Sequence, residues 1–470
     1  MAAEPRMKPE DTLQAGAAVS NITPPLGASL DGPISKPGPA THIHDDLFVR
    51  CLALSDGQTT LAIAVCDNTM IRDDVFAAAK ARVTELTGVP AKNIMMTATH
   101  SHSTPRGIGI SQAPIDQAYL AFLSQRIADG VCRAINQLAP ARLGVCTFSK
   151  PEHLHNRRWH MKPGSIPDNP FGQSSEAVRM NPPRADENLV EPAGPTDPQV
   201  TAISVQSREG TPLALLTNYG LHYVGGVRRG EVSADYYGMF CRYLTERVGE
   251  GLQDPPFVAI LANGASGNVN NVDFGKAAGR KWAPYEKMRL VARDLADAVL
   301  EATANVSYEG SPQLAATTGK LELAIRKPDS QRLRWARAVL TRGREETSHP
   351  YEQVFAHEAI FLAGQPDHTI LELQAFQIGD LALCAIPAEV FSETGLAIRA
   401  GSPFELTAIM SLANGYHGYL PTPEQHALGG YETWPARSSC LEEDAETKIR
   451  AEMMCLLAAL KAQGHATETQ

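Results

Sequence analysis

No apolar run in this 470-residue chain approaches the roughly 20 residues that a bilayer crossing needs, so stable membrane insertion is not expected. An excess of basic residues is missing too. The formal net charge is −10, which argues against a nucleic-acid partner and against electrostatic docking on an anionic membrane. The stretch Met1–Leu13 is polar and lacks the apolar core of a secretory signal, so the expected compartment is the cytoplasm unless a leader has been removed. The eight cysteines (51, 66, 132, 146, 241, 384, 440 and 455) never form a Cys-x-x-Cys pair. Several fall inside apolar runs such as Leu381–Ile386, and they read as reduced core residues rather than disulfides or a thiolate metal site. Internal repeats, low-complexity tracts and linkers are also absent. What remains is ordinary globular composition, 43% apolar and 20% charged, in a chain long enough to bury a large core. One domain over residues 13–461 is expected, with tails at 1–12 and 462–470.

The first half of that domain alternates strands and helices. Leu61–Val65 reads as a buried strand ending at Asp67, and Asp73 opens a helix whose apolar positions Phe76, Ala79, Val83 and Leu86 keep helical spacing. Gly88-Val-Pro90 stops it, and the apolar run Ile94–Ala98 follows as a second strand. A strand-helix-strand unit makes the two strands parallel and puts Asp67 and His100 at one edge. A helix from about 115 to 138 leads to a strand at 142–148. Residues 149–198, rich in Pro, Arg, Asn and His, lose the periodicity and read as an irregular insertion near the active site. Beyond it, hairpins are expected at 200–206 with 213–217 and at 370–378 with 381–386, and helices at 236–249, 284–302, 329–341, 351–362 and 441–461.

Chemistry concentrates after the strands. Thr99-His100-Ser101-His102-Ser103 delivers two imidazoles where a strand ends, and positions i and i+2 of an extended segment point the same way. Other strand ends lead to His222, to Pro387-Ala-Glu389, and to Asn414-Gly-Tyr416-His-Gly-Tyr419. Each has a bland reading alone, as a core histidine, a helix-start acid or a buried aromatic. Together they suit zinc, which favours imidazole nitrogen and carboxylate oxygen in a four-coordinate site. The glycine-rich Asn263–Asn271 fits no phosphate-binding fingerprint and instead lets backbone or substrate approach closely. His42-Ile-His44-Asp45 repeats the His-x-His pattern but precedes its strand. It reads as polar mouth residues, and a second metal is not expected.

Five of these segments, in order, resemble the neutral (non-lysosomal) ceramidases: Thr99–Ser103, His222 with Ser233-Ala-Asp235, the glycine-rich loop, Pro387-Ala-Glu389 and Gly418-Tyr419. The opening Ala15–Pro24 is similar as well, and the resemblance runs from about Ala15 to Ser438. It implies mixed β-sheets flanked by α-helices, an α/β class, and a zinc-dependent amidase with one Zn2+ per chain. The family's C-terminal immunoglobulin-like domain is not expected here. Carried over by position, His100, His222, Glu389 and Tyr419 correspond to the metal ligands, and His102, Arg157 and Tyr431 to the catalytic groups. Asp67, Asn270, Arg106 and Asp235 are candidates for orienting a ligand or touching substrate. Zinc brings the pKa of a bound water to about 7, which would arm it against an amide carbonyl. His102 would protonate the leaving amine.

The chain departs from the family at Thr104-Pro-Arg106-Gly, at Asn270, and in the polar 149–198 segment. The substrate expected is therefore a small-molecule amide smaller or more polar than ceramide. The alternatives are an ester or lactone on the same scaffold, or a non-catalytic binding protein. Self-association into a homo-oligomer is left open.

Overall fold

Period-two burial in the strands and apolar stripes on the helices together explain the layering. In the strand Ile94–Ala98 the side chains of Ile94, Met96 and Ala98 join a cluster with the helices Asp73–Thr87 and Gln117–Asn136, while Met95 faces an inner core. The computed structural model describes residues 12–32, 38–108, 115–252, 256–342 and 347–468. All but the last residue of the expected tail 1–12 lies outside them.

An eight-stranded sheet runs in the order 258–263, 212–219, 199–207, 139–149, 14–21, 48–55, 60–66, 94–98. Its two four-stranded halves meet through only two residue pairs, Gln14↔Pro140 and Ala15↔Ala139. A separate four-stranded sheet has the order 314–324, 368–378, 381–386, 406–411. Inner faces of both halves and of this sheet share one core, with Ile63 and Met95 from one half, Ile203 and Ile260 from the other, and Phe376 and Met410 from the separate sheet. Helices cover the outside. Asp235–Val248 and Glu286–Thr303 pack on the 199–263 half, and Ser392–Gly401 with Ala445–Glu468 on the separate sheet. This is the expected mixed α/β architecture. Among the described residues no helix is long and apolar enough to cross a membrane.

The two hairpins form as expected, and Thr60–Cys66 pairs parallel with Ile94–Ala98. Several expectations need correction. The last helix spans Ala445–Glu468, so residues 462–468 are helical rather than a tail. The 149–198 segment is not structureless: Arg158–Met161, Val178–Met180 and Leu189–Pro192 make a small three-stranded sheet. The expectation for His42 and His44 needs no such change: the strand Phe48–Ser55 runs antiparallel to Thr60–Cys66, which brings them to the edge that carries His100. All eight cysteines are unpaired, and only Cys455 is exposed.

Three parallel pairs organise the functional edge: 60–66 with 94–98, 212–219 with 258–263, and 381–386 with 406–411. Alternation along the eight-stranded order makes 212–219 antiparallel to 94–98, so a flat sheet would put their carboxyl ends on opposite edges. The narrow joint at Gln14 and Ala15 lets one half fold over the other, and the ends of all three pairs converge.

Close helix–sheet packing beside that joint makes a test. A Cβ at Gly16 would lie 2.1 Å from the carbonyl oxygen of Ala134, at the end of a packed helix. Overpacking of this kind costs about 1–3 kcal/mol. Gly16→Ala should lower the denaturant midpoint accordingly; an unchanged midpoint would show that the joint yields.

Candidate metal centre

His100 stands at a backbone turn, not in an extended segment. Its φ is +73°, in the left-handed region, with its amide donating to the carbonyl of Asn68 and that of Thr99 to the carbonyl of Cys66. A non-glycine residue there costs on the order of 1–3 kcal/mol and persists only where its surroundings enforce it. Here the enforcement comes from buried threonines: Thr69 Oγ1 donates to the carbonyl of Ser101, and the amide of Thr69 to Thr104 Oγ1. The expectation that His100 and His102 reach one site holds, although not by the alternation that suggested it.

The second strand pair contributes His222. Asp235, itself at positive φ, accepts from the amides of Val224, Gly225 and Tyr236 and so shapes the segment just after it. Burial raises the Asp235 pKa to about 6, against those three hydrogen bonds. The glycine-rich loop is the neighbour of both His222 and Glu389. A Cβ at Gly264 would meet the backbone of Gly220 at about 3.0 Å, and one at Gly267 would meet the carbonyl oxygen of Glu389 at 2.5 Å. Close backbone approach is thus what these glycines permit. The third pair brings Glu389, which lies in parallel register with Tyr419.

The Nε2 atoms of His222 and His102 each lie 3.1 Å from Nε2 of His100, and Glu389 Oε2 is 3.1 Å from the same atom. His100 Nδ1 faces the carbonyl oxygen of Thr69 at 2.9 Å, and His222 Nδ1 that of Ser266 at 3.0 Å. A carbonyl only accepts, so both Nδ1 atoms carry protons and both Nε2 atoms present lone pairs. Two lone pairs and a carboxylate oxygen facing one another at 3.1 Å repel unless a cation lies among them. Zinc–nitrogen bonds of about 2.0–2.1 Å in a tetrahedron set ligand nitrogens about 3.3 Å apart, close to the spacing here. The donor set fits a metal ion, and His100, His102 and His222 form the cluster of metal-competent side chains among the described residues. The resemblance put His102 beside the metal, yet its Nε2 is as near His100 as that of His222.

Around this point His102, His222, Tyr416, Tyr419 and Tyr431 are perturbed in the direction that burial explains. Burial holds His102 and His222 well below the usual imidazole range, and the positive charge of Arg157 adds to it, as protonation of His100 would. Tyr419 and Tyr416 are pushed well above the usual phenol value, by burial and then by Glu389. A phenolate at Tyr419 therefore requires an added cation. Arg157 lies over the Tyr419 ring, 5.3 Å from its centroid, with Nη1 3.3 Å from His222 Nε2. Its Nη2 is buried without a hydrogen-bond partner. Tyr431 is edge-on to Tyr419, ring centroids 5.9 Å apart, and burial raises its pKa as well.

Other expected residues lie elsewhere. Asp67 is buried against Arg50 at 2.7 Å and the amide of Phe48, so the carbonyl of Thr69, not this carboxylate, orients His100. Asn270 donates to Asn181, and Arg106 is buried with its Nε donating to Ser29. His44 stacks on Tyr285 at 3.6 Å, with Nδ1 3.0 Å from Asp45. Three contributors were not singled out from the sequence. Tyr416 donates to Glu389 Oε1 at 2.9 Å, and Tyr223 stacks on His102 at 3.7 Å. Glu432, fully buried, accepts from Arg157 Nε at 2.8 Å and from Arg158 Nη1 at 2.7 Å. Burial opposes its charge, but the two guanidinium groups outweigh that and keep it below the usual carboxylate value. Each of the three adjoins or shares a segment with a named residue, which is the only signal the sequence offered.

With this geometry in hand, comparison with known proteins is informative. No family model matches the chain. Neutral ceramidase A of Dictyostelium discoideum is 23% identical across 56% of this chain, a match that spans 37% of that relative. The crystal structure of neutral ceramidase from Pseudomonas aeruginosa superposes with a TM-score of 0.72 at 17% identity, covering 97% of this chain and 75% of the other. A ceramidase complexed with C2 matches with the same TM-score at 18% identity, covering 97% and 76%. The resemblance read from the motifs is borne out: the chain has the fold of the neutral ceramidases.

If the facing lone pairs hold a cation, purified protein should carry about one zinc per chain by metal analysis. Removing it with a chelator should lower the melting temperature by several degrees, since a ligand held only by the folded state stabilises it. His222→Ala should abolish both the bound metal and the chelator response. Metal-free protein that melts unchanged after zinc addition would rule the site out.

Proposed function

We propose that this chain, folded as the neutral ceramidases are, is a zinc-dependent hydrolase of carbon–nitrogen amide bonds. Its substrate is smaller or more polar than ceramide. The observation that carries this reading is the convergence of two imidazole lone pairs and the Glu389 carboxylate beside an arginine with an unused donor. In the proposal His100, His222, Glu389 and Tyr419 hold the metal, with His102 near enough to join or leave that set. Bound zinc supplies Lewis acidity and an acidified water.

The remaining work falls to the chain's own side chains. Arg157 Nη2 points its protons at no protein acceptor, which suits a donor reserved for oxygen charge developing on the substrate. Glu432 holds the other edge of that guanidinium, so it is positioned before substrate arrives. Tyr431 keeps its phenol proton at any ordinary pH and can donate it as a hydrogen bond. His102 is neutral at pH 7, so it enters as a proton acceptor rather than as the ready acid expected from sequence. It would take a proton from the attacking water at Nε2 or Nδ1 and pass it to the departing amine, a base-then-acid sequence. Its Nδ1 is buried and unpartnered, leaving capacity for that transfer.

The polar character of the 149–198 segment supports a compact, polar substrate. Arg158, fully buried there, donates to Gln425 and Gly429 as well as Glu432.

A panel of N-acyl amides, esters and lactones graded by acyl length should show zinc-dependent turnover favouring short or polar amides. Arg157→Gln should retain its metal and lose about 10²–10³-fold in kcat, the usual cost of one oxyanion donor. Faster turnover of esters than of matched amides, or of long-chain ceramides than of short polar amides, would overturn the substrate assignment.

A further inference from the structure

Behind the segment that carries Tyr431 and Glu432 lies a second concavity, of about 190 Å³. The 149–198 segment forms one wall with Asn169, Phe171, Gln173 and Glu176; the helix Ser330–Thr341 gives Arg332, and the third wall includes Trp434. Its volume is many times the roughly 10–15 Å³ that one water needs on the same measure, enough for the polar end of a small molecule. Ring contacts connect it to the metal centre: Trp434 to Tyr431 at 5.9 Å, and Tyr431 to Tyr419 at 5.9 Å.

The charges of this cavity are unequally satisfied. Glu176 Oε1 already accepts from Asn169 Nδ2 and from the indole N–H of Trp434. Arg332 has no such arrangement. Its guanidinium carbon lies over Phe171, 3.5 Å from the ring centroid, and 5.5 Å from that of Trp335. Nη1 is buried without a hydrogen-bond partner, and no described carboxylate lies within ion-pair distance of the group. Packing over the ring restricts the fork while leaving Nη1 unused, which pre-organises an arginine to take a carboxylate. Further positive charge lies nearby. His426, on the cavity wall, is pushed down to about 3 by burial and then by the positive charges of Arg326 and Arg158. Arg326 donates to the carbonyl of Thr433, another wall residue.

We infer that this cavity is a substrate subsite for a carboxylate, recognised by Arg332, so that the amides cleaved carry an acidic group remote from the scissile bond. The inference rests on the hydrolase reading above and names its substrate class. A neutral, hydroxyl-rich group would use Asn169, Gln173 and Trp434 equally well but would leave Arg332 Nη1 unpaired in a buried place, at a cost that a carboxylate removes.

The test compares short N-acyl amides bearing a terminal carboxylate, on the acyl side or the amine side, with their carboxamide isosteres. At least one carboxylate series should be preferred by about tenfold or more in kcat/KM, the worth of a charge-assisted hydrogen bond. Arg332→Gln should bring that ratio close to one, and Arg332→Lys should retain part of it. No preference in either series, a preference that survives Arg332→Gln, or selection for uncharged polyhydroxylated amides would overturn the subsite. If no amide in the panel is hydrolysed, the hydrolase reading fails separately, and the subsite is read by binding. Titrating N-acetylglycine and succinamate into chelator-stripped protein should change a fluorescence signal that Trp434→Phe removes, and Arg332→Gln should abolish the response. Silence of the wild-type protein to both probes would sink the proposal.

Discussion

Lone pairs turned toward one another at 3.1 Å are the constraint on which the rest of this structure depends. His100 and His222 could each relieve the clash by rotating or by moving the proton to Nε2. Either escape is closed by a backbone carbonyl that already holds the Nδ1 proton. Those carbonyls belong to Thr69 and Ser266, each three residues past the end of the strand that pairs in parallel with the one leading to the histidine. Pairing of the strands therefore fixes the tautomer of the side chains. A metal ligand's second nitrogen is usually held by such an acceptor, which also raises the basicity of the ligating one.

Backbone strain is distributed in a way consistent with that demand. His100, Asp235, Leu412 and Asn414 all sit at positive φ, and all four follow or flank the strand ends that build the site. Asn414 shows what secures them: its amide donates to the carbonyl of Met96, its Oδ1 accepts from the amide of Met96, and its Nδ2 donates to Gln374. Thr97 Oγ1 adds a bond to the carbonyl of Ser411. Two sheets are thereby stitched at the level where their chains leave for the metal centre. Few local rearrangements are open to a loop whose both ends are bonded into different sheets, which is how strained conformers persist.

How far this could be read from sequence follows from the range of each interaction. Strands 61–65 and 94–98, the helix between them and their parallel pairing are local consequences of periodicity, and they were legible. So were the individual strand ends and their chemistry, since each apolar run stops before a His, Glu or Tyr. Convergence of those ends was not derivable from topology. Simple alternation along the eight strands sets 212–219 against 94–98, and only the narrow joint between Gln14–Ala15 and Ala139–Pro140 undoes this. The ordered family resemblance supplied what the pattern could not. Left-handed His100 was invisible because histidine, though enriched in that region among non-glycine residues, still adopts it rarely, so its presence marks no such position as glycine can. Tyr416 and Tyr223 lay beside singled-out residues and still lacked a distinguishing signal, since a buried tyrosine is ordinarily core. Helix 445–468 outran its expected end because the polar stretch after residue 461 carries no helix-stopping proline.

Glu432 shows most directly why some of the site had to be found in three dimensions. Arg157 and Arg158 are consecutive, and in a regular strand their side chains would point to opposite faces. The chain breaks register between His155–Asn156, paired with the glycine-rich loop, and Arg158–Met161, which belongs to the small sheet. That break lets both guanidinium groups reach one carboxylate, one oxygen each. Two buried cations then share a single buried anion, leaving one net positive charge next to the histidine cluster. In isolation this would oppose a metal cation there; Glu389 and a phenolate at Tyr419 would together match the charge of a divalent ion. The surroundings hold the Tyr419 proton strongly in the absence of a cation, so losing that proton and gaining the metal are one coupled event. Arg157 favours the phenolate from above the same ring, and through Glu432 its position is tied to the chain segment that also walls the Arg332 cavity. The charge that prepares the metal centre and the charge left unused in the cavity are therefore both tied to one loop, 426–435.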